Sequence, residues 1–334
     1  MRYNSAYAFH LDLGMKIKPS MTFDYNGDFE KQKSQIKQKL LQILSMPEKQ
    51  TNPVASIISE STQDARFDEI SFEFESEPDF FVPARLLLPK NSKGKLPVVI
   101  CLQGHTPGMF VSLGQDAEGN AVEVEGDRDF AIQCVKRGYA TVIVEQRGFG
   151  KLAPKETKVD QCHYQALQAL LIGRTILGER CFDISQLICA LESFDKIDLN
   201  RIGIMGNSGG GTTSYFAAAI EPRITAVMPS CAFCGYKDAH LSYYHCACSF
   251  LPGLIKYMDM PDIGILIAPR PLIIVAGKQD PLANLTGVKH GFEVIRKIYD
   301  KSGAPDNCKL VVGDGGHRFY ADIGWQAFSS MFDN

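Results

Sequence analysis

Short apolar segments alternate with helical patterns along most of this chain from about residue 66 onward. Six of the segments are candidates for buried strands, at 98–102, 140–144, 202–205, 226–228, 272–275 and 310–312. Between them, apolar residues recur at helical spacing, as in Ile184, Leu187, Ile188 and Leu191, and in Val288, Phe292, Ile295 and Tyr299. The alternation predicts an α/β fold in which helices flank a mainly parallel central sheet. Two earlier segments, 70–74 and 84–88, predict an antiparallel hairpin.

Two parts of the chain depart from this alternation. Residues 1–65 contain an amphipathic helical pattern at 29–44, so they predict an N-terminal helical extension packed on a main domain of residues 66–334. Residues 231–267 form a long insertion, rich in aromatic residues and cysteine, before the penultimate strand. An insertion there is expected above the carboxyl ends of the strands, near the ligand-binding site.

Charge and apolar content exclude several classes of partner. The 334 residues carry 35 basic and 38 acidic side chains, a formal net charge of −3, which gives no electrostatic reason to expect nucleic acid or an anionic membrane. No run of 18 apolar residues predicts a membrane span, and no export signal is recognisable. We therefore expect a cytoplasmic protein with ten reduced cysteines, its oligomeric state open.

A glycine-rich motif lies between one strand candidate and a run of small residues. Its sequence is Gly206-Asn207-Ser208-Gly209-Gly210, and G-x-S-x-G between a strand and a helix is typical of a nucleophile elbow. Such a turn exposes the serine hydroxyl and places the Gly209 N–H at a helix N-terminus, where it can face an oxyanion. The alternatives are a glycine-rich turn with a capping serine, or a phosphate-binding loop, which lacks its usual lysine here.

A serine nucleophile needs a general base, and the base needs an orienting acid. Asp280 follows the strand candidate at 272–275, so it predicts the acid, although an aspartate before proline is also common in turns. His317 follows Asp280 on a glycine-rich loop after the last strand and predicts the base. Three other acids are less suitably placed, namely Asp262, Asp306 and Asp314.

The loop after the strand at 98–102 predicts the second oxyanion donor. Gly104 allows the backbone to approach a substrate closely, and the next residue, His105, would supply the N–H, with Thr106 as the second choice. Each such donor contributes roughly 3 kcal/mol to transition-state stabilisation. The His105 side chain could instead act as a ligand or a base.

Cysteines and histidines in the insertion raise the alternative of a metal site. Six residues could supply zinc ligands, namely Cys231, Cys234, His240, His245, Cys246 and Cys248. The second half of this set is C-x-C rather than C-x-x-C, however, and the intervening segment is aromatic. Packed reduced thiols are the favoured interpretation, so no metal and no cofactor are expected.

With these residues in place, the chain resembles α/β-hydrolases, above all the acetyl xylan esterase-like and dienelactone hydrolase-like group. The resemblance spans roughly residues 66–325 and rests on four stretches, at 206–212, 268–272, 315–317 and 245–253. It implies an α/β-hydrolase fold and a carboxylic ester hydrolase without a cofactor. The site residues it implies are Ser208, Asp280 and His317 as a triad, with Gly209 and His105 as oxyanion donors. We also predict that Gln103, Gly104 and His245 bind the substrate.

Two departures from the family pattern limit what the resemblance implies. Gln103-Gly104 stands where many esterases have His-Gly, and Ser208 stands where true dienelactone hydrolases have cysteine, so lactone specificity does not follow. We expect the protein to deacetylate a carbohydrate or to cleave another small acyl ester. The alternatives are a serine peptidase or amidase that uses the same triad, and a non-catalytic binding protein with this fold.

Overall fold

A single mixed β-sheet organises the chain. The computed structural model describes residues 3–50, 52–90, 92–154 and 161–333, and within these ranges the sheet has nine strands in the order β1-β2-β3-β5-β4-β6-β7-β8-β9. The strands are β1 (Ser56–Ser61), β2 (Phe67–Glu77), β3 (Phe80–Pro89), β4 (Leu96–Leu102), β5 (Ala140–Val144), β6 (Ile197–Asn207), β7 (Ile224–Ser230), β8 (Leu272–Gly277) and β9 (Cys308–Gly313).

The strand pairing confirms the predicted mainly parallel sheet. All six buried-strand candidates lie within β4 to β9, and these strands pair in parallel, as where Ile100 lies opposite both Val142 and Ile204. The predicted hairpin is also present, since β2 and β3 pair antiparallel with Ile70 opposite Leu86. The antiparallel part lies at one end of the sheet, where β3 joins β5.

Helices cover both faces of the sheet. They are α1 (Ala6–Lys16), α2 (Phe29–Leu44), α3 (Phe130–Val135), α4 (Gln161–Leu171), α5 (Ile176–Ala190), α6 (Gly209–Ile220), α7 (Met260–Ile263), α8 (Leu285–Lys301) and α9 (Ala321–Phe332). No helix within the described ranges is long and apolar enough to cross a lipid bilayer.

Strand β4 shows how the sheet separates the two largest hydrophobic cores. Val98, Ile100 and Leu102 belong to the core that contains α2, α5, α6 and α8, whereas Val99 and Cys101 belong to the core that contains α3 and α9. Successive side chains of a strand point to opposite faces of the sheet. An uninterrupted apolar segment therefore packs side chains into both cores.

The first 65 residues share the core of the main domain. Helix α2 has the predicted bounds, begins at the capping side chain of Asp28, and buries Ile36, Leu40 and Leu44 in the same core as the sheet. Strand β1 also lies in this segment, pairs with β2, and is exposed along its whole length. Sequence patterning missed β1 because an exposed edge strand has no buried apolar face. The domain division at residue 65 stays a prediction.

Candidate active site

The predicted elbow joins the end of β6 to the start of α6. Ser208 has φ 57° and ψ −126°, a left-handed backbone conformation that is strained for a residue with a side chain. Neighbouring glycines make the turn possible. A Cβ on Gly206 would lie 2.4 Å from the Gly210 carbonyl carbon, and one on Gly210 would lie 2.3 Å from the Leu102 carbonyl oxygen.

The loop after β4 runs directly against this elbow. A Cβ on Gly104 would lie 2.8 Å from both the Ser208 Cβ and the Asn207 carbonyl oxygen, so any side chain there would push the loop away. The ring of the next residue, His105, lies close to Gly209, where the nearest ring carbon is 3.4 Å from the ideal Cβ position. Gly209 is the first residue of α6, and N–H groups in a first helical turn have no intrahelical partner.

Asp280 and His317 form a hydrogen-bonded pair at the carboxyl edge of the sheet. Nδ1–H of His317 donates to Asp280 Oδ2 at 2.9 Å, and the Leu282 N–H donates to Oδ1 at 2.9 Å. Burial raises the pKa of the Asp280 carboxyl, but the hydrogen bond and charge of His317 outweigh burial, and the pKa lies below its usual value. A carboxylate at this position fixes the tautomer of the imidazole, leaving Nε2 free to accept a proton.

One cavity of about 350 Å³ brings the elbow, the loop after β4 and the His317 loop together. Ser208, Gly209, Gly104, His105 and His317 all line it. Nε2 of His317 is buried and has no hydrogen-bond partner among the described residues. The cavity therefore joins a strained serine to an imidazole whose other nitrogen is already oriented.

Of the predicted substrate-binding residues, Gly104 and His245 line the cavity and Gln103 does not. The buried Gln103 side chain donates to Ser112 Oγ at 2.8 Å and to the Arg128 carbonyl oxygen at 2.7 Å. Its amide thus ties the loop after β4 to the segment before α3. These two hydrogen bonds hold the side chain at position 103 outside the cavity, so the prediction that Gln103 lines the substrate site is wrong.

The insertion contributes a pair of stacked imidazoles to the cavity wall. The rings of His240 and His245 lie 4.1 Å apart, and His240 also stacks on Tyr236 at 4.5 Å. Burial lowers the pKa of both histidines, that of His240 to about 3. Both rings are therefore neutral near pH 7 and present apolar and hydrogen-bonding surface rather than charge.

Arg128 and Thr212 line the cavity without having been predicted. Arg128 stands between two aspartates in the sequence, a pattern typical of a solvated loop, and Thr212 follows the elbow among small residues. No periodicity or spacing distinguishes either residue, since the cavity is formed by segments far apart in the chain. The Nε of Arg128 is buried with no hydrogen-bond partner among the described residues.

A buried carboxyl group supports the loop after β4 from behind. Glu145, at the end of β5, accepts hydrogen bonds from the backbone N–H groups of Met109 at 3.1 Å and Lys151 at 3.2 Å. Burial raises its pKa to about 7, and the two backbone donors only partly oppose this shift. The side chain links the loop after β4 to the loop after β5.

The zinc set considered from the sequence does not assemble as one cluster. Within the described ranges, the Cys231 thiol lies with Asp280 and His317, whereas Cys246 and Cys248 lie with His105 and Cys162. Cys162 gave no signal in the sequence because it stands alone on α4, far along the chain from the insertion. All ten cysteines of the chain are described, and all ten are free thiols.

A family model and one named relative match most of the chain, and a second relative matches a shorter part. The model of the Abhydrolase family matches residues 1–314. YtaP of Bacillus subtilis (strain 168), a protein named as a hydrolase, is 26% identical over 249 residues, which are 70% of this chain and 77% of that protein. The carbohydrate esterase MZ0003, from an unknown prokaryotic organism, is 25% identical over 163 residues, 40% of this chain and 37% of that protein.

A solved structure matches the fold over nearly the whole chain. The crystal structure of a Bacteroides fragilis NCTC 9343 protein described as an acetyl xylan esterase superposes with a TM-score of 0.78 at 18% identity. The match covers 99% of this chain and 90% of that one. The predicted fold class is therefore confirmed.

Proposed function

The chain belongs to the Abhydrolase family, and from this membership we propose that it is a carboxylic ester hydrolase with a triad of Ser208, His317 and Asp280. The observation that carries the proposal is the cavity shared by the strained Ser208 and by His317, whose other ring nitrogen donates to the buried Asp280 at 2.9 Å. The order of these residues along the chain is also that of the α/β-hydrolase triad.

In the proposed reaction, Nε2 of His317 takes the proton of the Ser208 hydroxyl as its oxygen attacks the ester carbonyl carbon. The tetrahedral intermediate collapses when the bond to the alcohol oxygen breaks, and the alcohol leaves with the proton from His317. Water then attacks the acyl-enzyme with His317 again as base, which releases the acid and restores the Ser208 hydroxyl. Asp280 stays ionised throughout and stabilises the imidazolium.

Two backbone N–H groups are proposed to hold the oxyanion. Gly209 supplies one, because it opens α6 directly after the nucleophile, and His105 supplies the other from the loop that lies against the elbow. Gly104 supports this assignment, since its lack of a side chain is what lets the loop approach Ser208.

The proposed substrate is a carbohydrate, or another alcohol, that carries a small acyl group such as acetyl. Support comes from the resemblance of the chain, from the relative named as a carbohydrate esterase, and from the fold shared with a protein described as an acetyl xylan esterase. The cavity of about 350 Å³ lies at the lower end of the range of volumes typical of small-molecule sites, which suits a small acyl ester. The neutral His240 and His245 suit hydroxyl groups better than charged ones.

The nucleophile is tested by p-nitrophenyl acetate hydrolysis in the wild type and in Ser208→Ala. We expect kcat to fall on the order of 10⁶-fold, because the residues of such a triad act as a unit. Ser302→Ala, which removes a hydroxyl from the end of α8, is the matched control and should leave kcat unchanged. Equal rates in the wild type and Ser208→Ala would refute the triad.

Two alternatives are separated by substrates and by a probe. A peptidase or amidase would cleave matched anilides and peptides at readily measured rates, whereas the proposed esterase would turn over only the esters. A non-catalytic binding protein would not react with a fluorophosphonate probe, whereas we expect the probe to label Ser208. A panel of acetylated sugars and longer acyl esters then defines the acyl group and the alcohol.

We also propose a cytoplasmic location, on the ground that ten free thiols are typical of a reducing compartment. Cell fractionation of the native protein tests this. Recovery in an oxidising compartment, with paired cysteines, would contradict it.

A further inference from the structure

Three thiols and one imidazole meet beside the proposed active site. His105 comes from the loop after β4, Cys162 from α4, and Cys246 and Cys248 from the insertion. Their four donor atoms all lie within 4.8 Å of one another, and His105 Nε2 is 3.5 Å from Cys248 Sγ. In a tetrahedral zinc site, bond lengths of about 2.3 Å to sulfur and 2.0 Å to nitrogen separate neighbouring donors by about 3.5 to 3.8 Å.

A buried arginine faces the same cluster and has no carboxylate partner within the described ranges. Arg180 is 2% exposed, donates from Nη2 to Cys162 Sγ at 3.1 Å, and donates from Nε and Nη2 to the Arg147 carbonyl oxygen. Its guanidinium lies 4.3 Å above the ring of Phe149, which in turn contacts the His105 ring edge-on at 5.1 Å. Negative charge on the facing sulfur atoms would stabilise this buried guanidinium more than neutral thiols do.

We propose that His105, Cys162, Cys246 and Cys248 bind one structural Zn²⁺ ion. Zn²⁺ prefers thiolate and imidazole donors in a closed tetrahedral set, which is the composition found here. Three thiolates, a neutral imidazole and Zn²⁺ carry a net charge of −1, which Arg180 balances. Binding of the ion to the protonated site releases the thiol protons to solvent, and no redox step is involved.

The ion would join three segments that are distant in the chain. Cys162 would be the ligand from α4, Cys246 and Cys248 the ligands from the insertion, and His105 the ligand from the loop after β4. Because His105 is also the proposed second oxyanion donor, the ion would fix that backbone N–H through its side chain. The zinc site itself does not depend on the proposed function, whereas its effect on the rate does.

Metal content provides the first test. The full chain is expressed with zinc supplied, purified under reducing conditions, and analysed by inductively coupled plasma mass spectrometry. We expect about one zinc ion per chain in the wild type, in Ser208→Ala and in Cys308→Ser, and less than a tenth of that in Cys162→Ser and Cys248→Ser. Cys308 is the matched control because it is half-exposed at the start of β9, outside the cluster.

Cobalt substitution tests the coordination even where a cysteine variant fails to fold. Co²⁺ added to metal-depleted wild type should give the intense visible bands of tetrahedral thiolate coordination, and equimolar Zn²⁺ should abolish them. Absence of both zinc and the cobalt bands in folded wild type would overturn the proposal. So would zinc retained by folded Cys162→Ser and Cys248→Ser, or a disulfide within the cluster found by mass spectrometry of the freshly purified protein. Retention of zinc by inactive Ser208→Ala separates this result from the proposed catalysis.

Discussion

Ser208 shows how a single residue links backbone strain to chemistry. A positive φ is unfavourable for a residue with a Cβ, and it persists here because β6 and α6 fix both sides of the turn. The Ser208 N–H donates to the Ser230 carbonyl oxygen at 2.8 Å, which ties the strained residue to β7. Placement of the hydroxyl is thus a property of the scaffold rather than of a flexible loop.

Asp280→Asn tests the orienting carboxylate at the same scale. The amide keeps the size of the side chain but stabilises the wrong imidazole tautomer and no longer balances the imidazolium, so kcat should fall on the order of 10⁴-fold. Initial rates with p-nitrophenyl acetate, together with a thermal unfolding curve, measure the loss and show that the fold is kept.

Asp314→Asn is the matched control for this prediction. Asp314 belongs to the His317 loop and was one of the alternative acids, but its side chain is 99% exposed. We expect its substitution to leave kcat within about twofold, because an exposed charge in water interacts weakly with the site. A large loss in Asp314→Asn with none in Asp280→Asn would reverse the assignment of the acid.

At the scale of elements, buried polar side chains fix the loops that follow β4 and β5. Arg147 forms a bidentate pair with Asp183 of α5 at 2.8 Å and a further ion pair with Glu77 of β2 at 2.7 Å. Glu145, two residues earlier, accepts hydrogen bonds from two backbone N–H groups, one in the loop after β4 and one in the loop after β5. The connection after β5 is therefore held to α5, β2 and the neighbouring loops by ion pairs and hydrogen bonds. The sheet, in contrast, is stabilised mainly by burial of apolar side chains.

Glu145 gives a prediction about pH and stability. Its pKa is raised from 4.5 in the unfolded chain to about 7 in the fold, so the folded state binds the proton more tightly. Stability from this group is fully present below about pH 4.5 and is lost as pH rises to about 7, by on the order of 3 kcal/mol. In Glu145→Gln this loss should disappear.

Urea unfolding at several values between pH 4.5 and 8 measures the difference. Glu118→Gln, which removes an exposed carboxylate, is the control and should keep the pH dependence of the wild type. If Glu145→Gln and the wild type lose stability in parallel over this range, the Glu145 carboxyl is not protonated in the fold.

At the scale of the whole molecule, the N-terminal segment shares one of the hydrophobic cores with the sheet. Ile36, Leu40 and Leu44 of α2 pack in the same cluster as Leu177 of α5 and Ile204 of β6. Tyr25 and Asp300 also join the segment to α8 by a hydrogen bond of 2.6 Å. We expect the segment and the sheet to unfold together, because neither completes its core alone.

Leu40→Ala tests this cooperativity. Leu40 is fully buried, so its truncation should lower the free energy of unfolding by roughly 2 to 5 kcal/mol in a single transition. Lys37→Ala, on the exposed face of the same helix, should change it by less than about 0.5 kcal/mol. Calorimetry that resolved a separate early transition in Leu40→Ala would show that residues 1–65 are an independent unit.

The sequence by itself determined the elements whose signal is local. Apolar continuity marked β4 to β9, helical spacing marked α2, and the glycines around Ser208 marked the turn, because each of these constraints acts between residues close together in the chain. The elbow motif and the order of the residues along the chain predicted that Ser208, Asp280 and His317 meet, but only the tertiary structure decided which other distant side chains join them. It turned Gln103 away from the cavity, brought Arg128 into it, and united Cys162 with His105 and the insertion. Such contacts depend on how the loops pack against one another at the end of the sheet. Local patterns of residues along the chain do not predict this packing.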